Sequence, residues 1–192
     1  MTRILLMLIC AGMSAPMLGQ EPPSWQVLDT SSLRFQALQQ GAEFTGKFDE
    51  FDVQIQFDRG DLTLSELTVI VDVNSINTDY DDRDEILRST DLFDVARWPE
   101  AMFRATEVRD LGTGQLEALG VLTIRDQARS VLVPFTFTSE GTRARMSGEI
   151  VISRLDYGIG QGDWTNTDWV GRDVTIQFDL ELDAERTSDV GL

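Results

Sequence analysis

Histidine is missing from this chain of 192 residues, and its absence removes the usual general base, the commonest metal ligand and the usual pH switch near neutrality. Cysteine is nearly missing. Cys10 lies in the N-terminal apolar run, so the rest of the chain has no disulfide, no thiol nucleophile and no thiolate metal site. A domain of this length builds a core that needs no covalent staple. Long apolar runs are missing as well: the one at residues 4–11 falls far short of the roughly 20 residues that cross a bilayer as a helix. Positive charge is scarce, with 16 Lys and Arg against 33 Asp and Glu for a formal net charge of −17. Such a field repels nucleic acid and anionic membrane surfaces, which argues against a nucleic-acid partner, and it favours solubility.

Residues 1–19 read as a cleaved export signal, with Arg3 ahead of the apolar run and small or turn-forming residues before Glu21-Pro22-Pro23. Met17 is not the small residue favoured two positions before a cut after Gly19. Ile9 stands where a lipoprotein signal places a small residue, which disfavours lipidation of Cys10. The expected location is therefore periplasmic or secreted. No linker, repeat or low-complexity tract divides the chain beyond this signal, so residues 24–184 are expected to form one domain and 185–192 a C-terminal tail.

What the chain does have is period-two alternation. Leu33, Phe35 and Ala37 alternate with polar neighbours, as do Phe51, Val53, Ile55 and Phe57, then Leu67, Val69, Val71 and Val73. Further sets are Val131, Val133, Phe135 and Phe137, then Met146, Gly148, Ile150 and Ile152, and finally Val174, Ile176, Phe178, Leu180 and Leu182. One apolar and one wet face indicate antiparallel strands. Gly112-Thr113-Gly114 predicts a hairpin between residues 102–111 and 115–124. With residues 25–29 added, eight or nine strands form a meander of the size that closes into a barrel able to hold one small ligand.

The pattern breaks between Thr78 and Pro99. There Thr78 is expected to cap a helix with Asp79, Asp81 and Asp82 in its first turn. Ser89 or Thr90 is expected to cap a second short helical turn carrying Leu92, Phe93 and Ala96, which Pro99 ends. These pieces are expected to cover one end of the barrel.

Several blocks, in order, resemble the YceI-like family of exported lipid- and polyisoprenoid-binding proteins. Trp25-Gln26-Val27-Leu28-Asp29 with Ser32 and Phe35 resembles the opening block, and Gly46-Lys47-Phe48-Asp49-Glu50-Phe51 the next. Asn74 to Thr78, Arg83-Asp84, Leu87-Arg88-Ser89 and Asp91-Leu92-Phe93-Asp94-Val95 resemble the central block, which ends at Trp98-Pro99 and Phe103. Gly120-Val121-Leu122-Thr123-Ile124-Arg125, Ser153-Arg154-Leu155-Asp156-Tyr157-Gly158 and Trp169-Val170-Gly171-Arg172-Asp173-Val174 complete it. Two departures stand out: Ile86 where the family usually carries a histidine, and Asp126 where a glycine follows Ile124-Arg125. The insertion at 158–168, with Trp164, resembles members associated with b561-type membrane cytochromes.

The resemblance implies an antiparallel, lipocalin-like β-barrel with short inserted helices and an interior open to ligand. The implied function is to sequester or carry a long isoprenoid-type molecule, a polyprenyl lipid or a quinone, without catalysis or cofactor. The alternative readings are a module docking to a membrane redox protein such as a b561-type cytochrome, or an enzyme acting on a lipid. Alternation alone leaves open whether the inward side chains line a cavity or fill the core.

Candidate lining residues are Phe35, Phe57, Val71, Phe103, Phe135 and Phe178, with Trp164 and Trp169 placed to stack on a flat apolar ring. Arg83 and Arg88, with Arg97 and Arg104 nearby, are candidates for an anionic head group, because the guanidinium fork matches phosphate oxygens. The competing role for these arginines is ion pairing with Asp79, Asp81, Asp82, Asp84, Asp91 or Asp94. The acidic run 79–84 lacks the central glycine and distal glutamate of a calcium loop, so no metal ligands are assigned. The glycines at 158, 160 and 162 have no strand-then-helix context for a phosphate cradle, and a loop at the barrel mouth is expected there.

Overall fold

The structure, a computed structural model, describes residues 22–185. The leader at 1–19 and most of the tail at 185–192 lie outside the described residues. Within them the chain forms eleven strands: β1 (Ser24–Val27), β2 (Ser32–Gln39), β3 (Ala42–Phe48), β4 (Phe51–Gln56), β5 (Glu66–Asp72), β6 (Ile76–Asn77), β7 (Glu100–Asp110), β8 (Gln115–Ile124), β9 (Gln127–Glu140), β10 (Arg143–Ser153) and β11 (Asp173–Ala184). One α-helix, α1 (Asp81–Arg88), sits between β6 and β7.

All pairings are antiparallel, and β1, β4, β5, β7, β8, β9, β10 and β11 close into an eight-stranded ring. β11 is long enough to serve two partners. Its last residues pair with β1 (Val27 opposite Leu182), and its first half pairs with β2 (Phe35 opposite Ile176). The β2–β3 hairpin therefore flares from the ring, and β3 reaches β6 only at Lys47 and Phe48. Gln40 and Gly41 both take positive φ, 51° and 77°, as a two-residue hairpin whose twist matches its strands requires.

The β8–β9 turn explains why Asp126 is tolerated in place of glycine. The left-handed residue there is Arg125, with φ 55°, and the strands stay in register up to Ile124 opposite Gln127.

The middle of the chain differs from the expectation in two places. Asp79 turns the chain with φ 57°, which moves the cap of α1 to Tyr80, without a side-chain bond to the helix. Thr78 instead donates its backbone N–H and its hydroxyl to one oxygen of Asp84, at 3.0 and 2.6 Å, so the acid in the first turn reaches back to the chain entering it. Residues 89–98 form no second helix. They fold as consecutive turns, with the N–H groups of Leu92 and Asp94 both donating to Ser89 O and that of Trp98 to Asp94 O.

The core has two parts. One end is sealed by Trp25, Phe57, Phe135 and Phe137, with Leu116 and Leu182 fully buried among them. Phe57 and Phe137 pack at 4.6 Å between ring centroids, Trp25 meets Phe137 edge-on at 5.4 Å, and the Trp25 indole N–H donates to Phe57 O. At the other end a smaller cluster of Leu92, Ile124, Ile152, Tyr157 and Ile159 ties the covering segments to the strand ends.

Candidate functional site

Between these two clusters lies a cavity of about 480 Å³. That is within the few-hundred to thousand Å³ range of small-molecule sites. Its wall is drawn from β2, β3, β4, β5, β7, β8, β9, β10 and β11 and is almost wholly apolar.

Glycine placement helps to keep it open. Gly46 and Gly120 each leave room that the ring of an inward phenylalanine occupies, Phe35 over Gly46 and Phe103 over Gly120, and a Cβ at Gly120 would lie 2.5 Å from that ring. Phe178 covers Gly148 in the same way. Rings laid against the sheet add apolar wall without crossing the lumen.

Of the candidate lining residues, Phe35, Val71, Phe103, Phe178 and Trp164 border this cavity. Phe57 and Phe135 do not. They face inward below its floor, where they pack against Phe137 in the sealed end. Trp169 is 58% exposed and points away, while its neighbour Val170 borders the cavity.

The helical segment supplies the opening. Exposed Tyr80, Asp82 and Ile86, together with half-buried Arg83, all border the cavity. The Arg83 guanidinium lies 4.4 Å from the centroid of Phe44 and 5.6 Å from that of Tyr80, stacked by cation–π attraction. Among the described residues no carboxylate lies within ion-pairing distance of Arg83, Arg88 or Arg97. The acidic neighbours on α1 therefore do not neutralise them through direct pairs. Phe44, Phe35, Phe48 and Phe93 continue the aromatic run from Arg83, with successive centroids 5.6 to 6.5 Å apart.

Arg88 stands elsewhere. It donates through Nε to Asn74 O at 2.9 Å and through Nη2 to Ile76 O at 2.6 Å, which fastens α1 to the chain entering β6. Two further arginines act in the same way. Arg125 donates to Leu92 O and Gly158 O, joining the 89–98 turns to the 158–168 loop. Arg154, only 2% exposed, donates to Ile159 O, Val170 O and Gly171 O at 2.7–2.8 Å. Burial pulls its pKa below the ordinary guanidinium value, yet it stays charged and borders the cavity. The 158–168 loop is further held by the N–H groups of Gly160 and Gln161, both donating to Asp91 O.

Sequence reasoning did not single out Arg125 or Arg154. A signal for Arg154 was present, since it continues the inward parity of Ile150 and Ile152.

Comparison with known proteins decides the family. A model of the YceI-like domain matches residues 25–182. The chain belongs to the YceI-like family. A UPF0312 protein of Vibrio cholerae is 31% identical over 144 residues, covering 69% of this chain and 76% of the relative. Burkholderia cenocepacia BcnA superposes with a TM-score of 0.79 at 26% identity, over 81% of this chain and 99% of its own. A polyisoprenoid binding domain from Saccharophagus degradans, implicated in plant cell wall breakdown, shares the fold with a TM-score of 0.65 at 18% identity, over 86% of this chain and all of its own. No described helix of this YceI-like protein is long and apolar enough to cross a membrane.

Proposed function

We propose that this YceI-like protein is an exported carrier that shields a long apolar molecule, a polyprenyl lipid or quinone, by taking its isoprenoid tail into the cavity. The observation that carries the reading is an apolar cavity of about 480 Å³ with a stacked, carboxylate-free arginine at its opening. The tail supplies the affinity. Burying a five-carbon isoprene unit gives about 4 kcal/mol at roughly 0.8 kcal/mol per carbon group, against an association cost of about 4–15 kcal/mol. One unit reaches only the bottom of that range, and four, at about 16 kcal/mol, cover all of it. Arg83 would face a phosphate, diphosphate or quinone oxygen at the mouth, its position fixed by Phe44 and Tyr80. The leader-like residues 1–19 support export. The polyisoprenoid binding domain of the same fold supports the choice of ligand class.

Native mass spectrometry of the protein purified from its own host tests the proposal. A stoichiometric isoprenoid lipid is the expected result. An empty protein that also fails to retain added polyprenyl phosphate removes the carrier reading and favours docking to a membrane redox partner. Turnover of the lipid without retention favours an enzyme.

A further inference from the structure

The cavity has a floor, and the strands mark its level. On β11 the inward residues Val174, Ile176, Phe178 and Leu180 border the cavity, whereas the next, Leu182, is fully buried below it. On β10 Ile152, Ile150 and Met146 border it and Ala144 does not. On β9 Val131 and Val133 border it, while Phe135 and Phe137 belong to the sealed cluster. On β4 the change comes between Val53 and Ile55. Four strands stop at one depth, so the channel is blind. Beneath its floor, formed by Val53, Val133, Met146 and Leu180, the interlocked rings of Phe57, Phe135 and Phe137 leave no passage to the far end.

A blind channel measures what enters it. The span from Val174 to Leu180 is about 20 Å along the strand at 3.3 Å per residue, or about 15 Å along the axis for strands tilted by about 40°. Volume gives the chain length more directly. An apolar cavity of about 150 Å³ accommodates the six carbons of benzene, so 480 Å³ accommodates about 19, close to four isoprene units. Resting on the carrier reading above, we infer that this protein selects isoprenoid chains by length: affinity rises up to four units, and longer chains leave the excess outside the mouth without further gain. Val53, Val133 and Met146 set the limit, because they are the side chains that meet the tail's end.

The test is a competition among prenyl monophosphates of two, three, four, six and nine units, mixed in equal amounts with the full chain and read as complex masses by native mass spectrometry. The shared phosphate keeps any contact with Arg83 constant. Each added unit should raise relative occupancy by at least about tenfold up to four units, the burial gain exceeding the cost of ordering the chain, and by less than about twofold beyond. Occupancy that keeps climbing through six and nine units overturns the length limit while leaving the carrier reading standing. No retained lipid at any length removes both. Val133→Phe places a ring on the floor and should move the break from four units to three. A break that stays at four in a folded Val133→Phe protein contradicts the assignment of the floor. The wild-type series stands whether or not that variant folds.

Discussion

The two ends of this barrel are built from the same alternating strands, yet one is solid and the other hollow. At the solid end three phenylalanines and a tryptophan point across the axis and meet ring to ring, and Ile55, Leu116 and Leu182 fill what remains. At the hollow end Phe35, Phe103 and Phe178 lie over glycines of neighbouring strands, so the same residue type builds wall and leaves the lumen open. The difference lies in where each ring goes, flat over a neighbouring glycine or across the axis, and not in how apolar the strands are; Phe135 too stands opposite Gly148 yet fills the solid end. Closure also differs. The solid end is sealed by side-chain packing, whereas the segments around the mouth of the hollow end are held by arginines bonded to loop carbonyls together with the small cluster around Leu92 and Tyr157.

The largest expected effect comes from breaking the solid end. Phe137→Ala should cost about 3–5 kcal/mol in urea unfolding, because the void it leaves is ringed by fixed neighbours. Ile176→Ala at the hollow end removes a side chain that already borders empty space, and should cost less than half as much. Equal losses would erase the distinction between the ends.

Next comes Arg154→Met, which orphans three loop carbonyls and should cost about 3 kcal/mol. Arg154→Lys should recover little of it, because one ammonium cannot match a fork aimed at Ile159, Val170 and Gly171. Faster amide hydrogen exchange confined to residues 158–171 would locate the damage at the hollow end.

Asp84→Ala should cost about 1–2 kcal/mol through the loss of both Thr78 bonds, with exchange quickened in α1 and the barrel strands unchanged.

The smallest effect belongs to the outer wall, where Arg145 bonds Asp179 across β10 and β11 and holds its carboxyl below the ordinary carboxylate range. A lowered folded pKa stabilises above the unfolded value, near 4, and the contribution disappears as pH falls through the folded value. The difference in melting temperature between wild type and Asp179→Asn should therefore be slight at pH 7, shrink in 1 M salt and vanish in strong acid.

Much of this was legible in the sequence. The strand faces, the 112–114 hairpin and the single helix-bearing interruption follow from alternation and turn residues, which act locally. The capping of α1 was misplaced, because a left-handed Asp79 displaced the start by two residues and let Asp84 take Thr78 as its donor. The division of the interior was not legible from parity alone. Phe57 and Phe178 have the same inward parity, and what separates filler from wall is where each ring lies, Phe178 over Gly148 and Phe57 against Phe135 and Phe137. Arg88 read as a charge in search of a carboxylate or a ligand, and Arg154 did not stand out at all. Their carbonyl partners lie on turns whose positions no local pattern gives.

Xenon under pressure in crystals of the protein tests the central claim most directly, since it enters empty apolar space and little else. The account predicts xenon between Val71, Phe103, Met146 and Phe178, and none among Trp25, Phe57, Phe135 and Phe137. Xenon absent from the first group, or equally present in the second, would contradict it.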